Sequence, residues 1–178
     1  MTYAAMLSLR GLWLGPLLIE RHGFSLVASG HVATVMSLVS LFSPAFFGRL
    51  DLGPGARRRW LTGYTVLMAV LFAAMGGWPL AWLDVAGPIA VGLLSGYMVL
   101  QYADVRSAYP AAMTGRAMSV FTMALFLGVA LMQWLTGAAA SSAKAQGADP
   151  YGVVMFTIAG LLAVGAAAFR WLPRPPGA

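Results

Sequence analysis

Apolar residues occur in this chain in six long stretches, which short polar segments separate. Residues 66–74 are apolar at every position, so they lack the alternation of a β-strand with one polar face. A helix that crosses a hydrocarbon core of roughly 30 Å needs about 20 mostly apolar residues. The pattern therefore predicts an all-α membrane protein with six transmembrane helices, near residues 2–19, 26–47, 60–78, 85–103, 117–137 and 151–169.

Composition agrees with a bilayer as the solvent of this chain. Of its 178 residues 60% are hydrophobic and only 9% are charged, whereas soluble domains carry roughly 25% charged residues. Residues 1–172 are predicted to form one six-helix domain, and residues 138–149 a loop of small residues within it. The proline-rich residues 173–178 are predicted to be a disordered cytoplasmic tail.

The positions of arginine and lysine predict the orientation in the membrane, because positive residues are retained on the cytoplasmic side. With a cytoplasmic N-terminus, only Arg21 and Lys144 face outward. The cytoplasmic side then holds Arg49, Arg57, Arg58, Arg59, Arg106, Arg116, Arg170 and Arg174. We therefore expect an integral protein of the bacterial inner membrane with both termini cytoplasmic. The positive charge matches anionic headgroups, and no basic stripe interleaved with aromatics indicates a nucleic-acid partner.

Polar residues are costly in hydrocarbon, so their distribution indicates which helices line something other than lipid. The first, second, fourth and fifth spans carry many, whereas the third and sixth carry few and are expected to be lipid-facing supports. Polar residues three, four or seven positions apart share a helix face and could converge on a cavity. The residues expected to contact a solute there are Arg10, Trp13, Tyr97, Gln101 and Gln133. Alternatively, the serines and threonines of these spans only bond back to their own helices.

Arg10 is the most informative of these residues. An arginine at the centre of a span costs about 2.5 to 3.5 kcal/mol on insertion, and each leucine or isoleucine returns roughly 0.3 to 0.6 kcal/mol. Arg10 is therefore expected to face protein or water, as an anion-binding or gating residue or as the structural partner of a carbonyl or carboxylate. Asp104 and Arg106, at the inner end of the fourth span, are either a gate pair or residues of the headgroup layer.

Two G-x-x-x-G motifs indicate close helix contacts and a possible internal repeat. Gly11 and Gly15 lie in the first span, and Gly92 and Gly96 lie in the fourth. This motif lets the backbones of neighbouring helices approach closely. Its recurrence in the first and fourth spans suits a three-plus-three inverted repeat, although small residues are common in membrane helices.

The order of motifs resembles the major facilitator superfamily. Residues 48–59, which join the second and third spans, resemble the family's basic loop signature through Gly48, Asp51, Arg57 and Arg58. Asp51 lies one position before the family's aspartate, which Leu52 replaces. Residues 10–16 resemble the opening helix of the family's C-terminal half, and residues 109–110, 115–117 and 126–128 resemble later parts of that half.

The resemblance implies one half of a carrier whose twelve helices form two six-helix halves. In that family the first, second, fourth and fifth helices of each half line the cavity. The expected function is transport of a small molecule or ion by alternating access, with no cofactor or metal. The expected partner is a missing N-terminal half, or a second copy in a homodimer, because the chain is interpreted as a fragment or truncated product of a longer carrier.

A six-helix membrane chain also suits two classes of function other than transport. An intramembrane enzyme is disfavoured, because the chain has no G-x-S-G serine motif, no H-E-x-x-H motif and only two histidines. The remaining alternative is a non-transporting six-helix protein that acts in the assembly or regulation of another membrane protein. Six further helices encoded upstream in frame would favour the carrier.

Overall fold

The computed structural model describes residues 1–50 and 53–171. It contains six long helices: α1 Thr2–Arg21, α2 Leu26–Gly48, α3 Gly53–Gly77, α4 Ala81–Ala108, α5 Ala111–Ala145 and α6 Pro150–Trp171. Each is long and apolar enough to cross a membrane. The prediction of an all-helical protein with six candidate spans is confirmed. The predicted tail at 173–178 and the loop residue Asp51 lie outside the described residues.

The largest departure from the predicted ends is in α5. The stretch that was expected to form a loop continues the helix as far as Ala145. Alanine is the strongest helix former, so a segment rich in alanine extends the helix beyond the apolar window that identified it. The helix of 35 residues is longer than a bilayer requires, so its ends reach past the hydrocarbon core.

The most extensive contacts between helices join α3 with α6, α2 with α4 and α5 with α6, and α1 packs against α5. α2 and α5 are the least buried helices of the bundle, whereas α3 and α6 pack closely against each other. That the third and sixth spans are lipid-facing supports stays a prediction. The buried side chains of α3 and α6 join one core cluster. A Cβ added at Gly76 of α3 would lie 3.1 Å from the carbonyl oxygen of Gly152 in α6, so the two backbones are in close contact.

α1 is not a regular α-helix. It contains two π-helical turns, Leu9–Trp13 and Leu17–Arg21, on either side of Pro16. Proline has no N–H and cannot donate the helical bond at its position, and short π-turns are common at functional sites. The first π-helical turn holds Arg10 near the middle of the helix.

α4 is interrupted at Gly96 and Tyr97, and a serine of α2 replaces the missing helical bonds. The N–H of Tyr97 bonds to the carbonyl of Leu94 in a tight turn, which leaves the carbonyl of Leu93 and the N–H of Gly96 outside the regular pattern. The hydroxyl of Ser43 donates to the Leu93 carbonyl and accepts from the Gly96 N–H at 3.1 Å. Ser43 thus satisfies both backbone groups.

Replacing Ser43 with alanine is expected to lower the free energy of unfolding in detergent by about 1 to 2 kcal/mol, because two buried backbone groups lose their partner. Ser40 is the matched control, since its hydroxyl bonds back to the carbonyl of Ser37 in its own helix. Ser40→Ala should change stability by less than about 0.5 kcal/mol. Equal effects of the two variants in thermal unfolding would contradict this role for Ser43.

The two G-x-x-x-G motifs have different surroundings. A Cβ at Gly92 would lie 2.8 Å from the carbonyl oxygen of Met36 in α2, and a Cβ at Gly96 would clash with Ser43. Gly11 and Gly15 would meet nothing within 4 Å. The motif in α4 is therefore a helix contact, as predicted, whereas the motif in α1 is open.

Candidate functional site

An open groove lies between α1 and α2 at the level of Arg10. Its volume is about 630 Å³, and it is lined by Arg10, Ala33, Thr34, Ser37, Leu38, Ser40 and Leu41. Arg10 is exposed, and the structure gives it no hydrogen bond or ion pair with any residue in 1–50 or 53–171. The groove therefore presents one guanidinium whose N–H donors are not engaged by the described part of the chain.

The hydroxyls of the groove bond back to their own helix. Thr34 donates to the carbonyl of Gly30 at 2.9 Å, and Ser37 donates to that of Ala33 at 2.6 Å. The alternative drawn from the sequence, that serines and threonines bond back to their own helices, therefore holds for the hydroxyl protons of Thr34 and Ser37. Their oxygens can still accept, whereas Arg10 supplies donors in a planar fork that fits a carboxylate or phosphate.

The described acidic residues all lie near helix ends, away from the middle of α1. Glu20 accepts a hydrogen bond from the hydroxyl of Tyr151 at 2.6 Å. Asp104 is in electrostatic reach of Arg57 and Arg58. The remaining two, Asp84 and Asp149, are paired with Arg21. Within residues 1–50 and 53–171, no carboxylate neutralises Arg10.

Trp13 and Gln133 lie at the contact between α1 and α5. The indole Nε1 of Trp13 donates to the hydroxyl of Thr136 at 3.1 Å. Gln133 is half-buried three residues before Thr136, and its backbone carbonyl accepts from the same hydroxyl at 3.1 Å. These two candidates share one region of the bundle, next to the helix that carries Arg10.

Tyr97 does not line the groove. Its exposed fraction is 0%, its ring stacks on Tyr64 with 5.4 Å between centroids, and its hydroxyl lies 3.0 Å from that of Thr65. A side chain without exposed surface cannot contact a solute in this conformation. Tyr97 lies at the break in α4, and its side chain is buried in the core. The spacing of Tyr97, Gln101 and Asp104 along a regular helix could not indicate this.

Gln101 lies in a second cavity, of about 190 Å³, near the end of the bundle that carries most of the arginines. Its side-chain nitrogen donates to the hydroxyl of Thr2 at 3.2 Å. Asp104 lines the same cavity. The five candidate residues are therefore distributed over the groove, the contact of α1 with α5, the aromatic core and this cavity, and do not meet at one point.

The basic loop motif packs against two other helices at this arginine-rich end. Arg57 donates to the hydroxyl of Ser107 in α4 at 3.1 Å. Arg58 donates to the carbonyl of Phe169 in α6 at 2.8 Å, and its guanidinium lies 4.8 Å from the centre of that ring. Gly48 is exposed at the end of α2. The motif residues that are described thus hold three helices together.

Asp104 and Arg106 do not form the gate pair that was considered. Arg106 is exposed, and no ion pair joins it to Asp104 in the described part of the chain. The carboxylate instead lies in the field of Arg57 and Arg58. Residues two positions apart point to different faces of a helix, so opposite charges at this spacing do not face each other.

The opposite end of the bundle holds a charged cluster that the sequence analysis missed. The guanidinium of Arg21 lies 3.0 Å from Asp84 and 2.5 Å from Asp149, and His22 lies 2.7 Å from the same Asp84 oxygen. Asp84 is fully buried, and Asp149 also accepts from the N–H of Tyr151 at the start of α6. The cluster ties α1, α4 and α6 together. The sequence could have indicated this cluster through the topology alone, because consecutive antiparallel helices bring the ends that carry these charges to the same side of the membrane.

No protein-family model matches this chain, and no match was found among curated proteins or solved structures.

Proposed function

We propose that this chain transports a small solute across a membrane by alternating access, as one six-helix half of a secondary carrier of the major facilitator type. The observation that carries the proposal is Arg10, a charged residue near the middle of a candidate span, without a partner in the described residues, in an open groove with hydroxyls. In this proposal the arginine-rich end faces the cytoplasm of a bacterial cell.

The energy of a guanidinium in a bilayer supports a water-filled groove. Arginine at mid-membrane costs about 2.5 to 3.5 kcal/mol on insertion scales, and such residues usually face water or a polar partner. Arg10 has no such partner within residues 1–50 and 53–171. Water or a solute in the groove would remove most of this cost, and a bidentate contact would favour an anion.

The exposed surfaces of α1, α2 and α5 support a second bundle in the complete carrier. α2 and α5 are the least buried helices, and Gly11 and Gly15 of α1 offer an uncovered surface for close helix packing. A second six-helix half that covers these surfaces would enclose the groove. The partner would be an N-terminal half or a second copy of this chain.

The absence of native cysteine allows a direct test of the water in the groove. Ser37→Cys, near the middle of α2, is expected to react with a membrane-impermeant thiol reagent when the chain is in liposomes. Val66→Cys, near the middle of α3 and 46% exposed, is the control for a side chain that faces lipid. We expect Ser37→Cys to react at least about tenfold faster, because methanethiosulfonate reagents require the thiolate that forms in water.

The same measurement separates the two functional classes. Equal, slow reaction of both variants would mean that lipid fills the groove, and the carrier proposal would fail. The remaining function would then be the alternative, a membrane protein that assembles with or regulates another without transport. Faster reaction of Ser37→Cys that added acetate or phosphate slows would further support an anion route past Arg10.

A further inference from the structure

A second groove lies between α4 and α5, at the arginine-rich end of the bundle. Its volume is about 440 Å³, and it is lined by Val105, Tyr109, Met113, Arg116, Ala117, Val120, Phe121 and Ala124. All of these side chains except Arg116 and the Tyr109 hydroxyl are apolar. Only Tyr109 and Pro110 connect the two helices, and Tyr109 itself lines the groove.

The wall of this groove is held by an aromatic contact. The ring of Tyr102 in α4 meets that of Phe121 in α5 edge to face, with 5.0 Å between centroids. Val120 and Met113 stay 59% and 50% exposed on the other side. The result is an elongated apolar surface near the ends of two candidate spans, where the acyl chains of a bilayer begin.

Arg116 supplies a charge at this surface. It is exposed, and the structure gives it no ion pair or hydrogen bond within the described ranges 1–50 and 53–171. Long arginine side chains lay their apolar stems on apolar surface and keep the guanidinium at headgroup level. The one described acidic residue of this end, Asp104, is already in the field of Arg57 and Arg58, so the local charge is positive.

From this juxtaposition we propose that the groove between α4 and α5 binds one anionic phospholipid, with its phosphate on Arg116 and an acyl chain along Met113, Val120 and Phe121. Arginine matches the geometry of a phosphate, and basic pockets between membrane helices are known to hold anionic headgroups. Charge and lining together favour a phospholipid, because one guanidinium lies on a groove whose other lining side chains are apolar apart from the Tyr109 hydroxyl. The proposal does not depend on whether the chain transports a solute.

Native mass spectrometry of the delipidated full chain in detergent tests the proposal. Phosphatidylglycerol and phosphatidylcholine with identical acyl chains are the two probes. We expect the wild-type chain to bind one phosphatidylglycerol about fivefold more tightly, the factor that corresponds to one basic residue near a membrane surface. Arg116→Gln should remove this preference, and Val120→Trp should weaken the binding of both lipids because the indole fills the groove.

Arg170→Gln is the matched control, because Arg170 is exposed at the same end and does not line the groove. This variant should keep the wild-type preference, and circular dichroism should show unchanged helix content for all three variants. Three results would overturn the proposal: wild-type binding without headgroup preference, an equal loss in Arg116→Gln and Arg170→Gln, or unchanged binding in Val120→Trp. The second result would mean that the arginines act only as a diffuse charge.

Discussion

Arg21→Ala is expected to lower the free energy of unfolding by about 3 kcal/mol, the largest effect on stability among the variants that we consider. Breaking a buried ion pair from one side costs about 3 to 5 kcal/mol, because the other charge stays buried without compensation. The side chain of Asp84 has 0% exposure and that of Arg21 only 10%. His22 keeps its contact with Asp84, which places the loss at the lower end of this range.

The effect should extend beyond one ion pair because Arg21 contacts three other parts of the bundle. Besides Asp84 and Asp149, its guanidinium donates to the carbonyl of Met75 near the end of α3 at 3.4 Å. Removing it therefore weakens the contacts of the end of α1 with α3, α4 and α6 at once, although His22 still contacts Asp84 and Glu20 still accepts from Tyr151. We expect a lower unfolding temperature in detergent micelles, measured by circular dichroism at 222 nm, as a single cooperative transition.

Two further variants test whether the buried charge is the cause. Adding Asp84→Asn to Arg21→Ala should recover part of the loss, because the amide has no net charge to leave unpaired. Lys144→Ala is the matched control, since Lys144 is the other basic residue near this end and is exposed. No recovery in the double variant, or an equal loss in Lys144→Ala, would mean that the ion pair does not stabilise the bundle.

Arg10→Ala is expected to have the opposite profile, with at least a tenfold loss of solute flux and no loss of stability. In the proposed function Arg10 binds the solute, and a charge-assisted bidentate contact contributes about 1.5 to 3 kcal/mol, which corresponds to at least a tenfold effect. Within the described residues Arg10 makes no hydrogen bond or ion pair whose loss would lower the stability of the fold. Its removal also takes a charge out of the middle of a candidate span, so membrane abundance should stay near normal.

Flux should be measured in proteoliposomes that contain the assembled carrier, this chain with its N-terminal half or as a homodimer, as efflux of radiolabelled acetate, succinate, phosphate and sulfate. Arg10→Lys keeps the positive charge but loses the planar fork, so it should retain intermediate flux. Arg170→Ala, at an exposed site outside both grooves, should retain the wild-type rate. Full flux in Arg10→Ala would refute a transport role for this arginine.

The sequence predicted the spans well because hydrocarbon imposes a simple requirement on length and composition. Four of the six predicted spans lie within about five residues of α1, α2, α4 and α6. α3 begins seven residues before its window, and α5 extends beyond its window because alanines prolong the helix. The break in α4 was not predicted. It depends on Ser43, a residue 53 positions away from Gly96 that becomes its neighbour only when α2 and α4 pack.

The candidate site was predicted in part, and the limits have a physical cause. Arg10 was expected to face protein or water because of the cost of placing one arginine in lipid, which can be judged without knowing the fold. It lines the groove together with hydroxyl-bearing residues. Helical spacing gives the residues that share a face but not the rotation of that face toward its neighbours. Tyr97 therefore turned into the core, and the ion pairs of Arg21 with Asp84 and Asp149 could not be foreseen from local pattern.

The interruption of α4 at Gly96 and Tyr97 divides this helix into two rods, Ala81–Ser95 and Met98–Ala108. Bending a continuous helix would stretch its own hydrogen bonds, but here Ser43 of the neighbouring helix already holds the two backbone groups concerned. The rod that begins at Ala81 is attached to α1 by the ion pair of Asp84 with Arg21. The rod that begins at Met98 follows Tyr97, whose hydroxyl bonds to that of Thr65 in α3. Both segments of α4 are therefore tied to neighbouring helices, and one serine of α2 satisfies the backbone groups at the break between them.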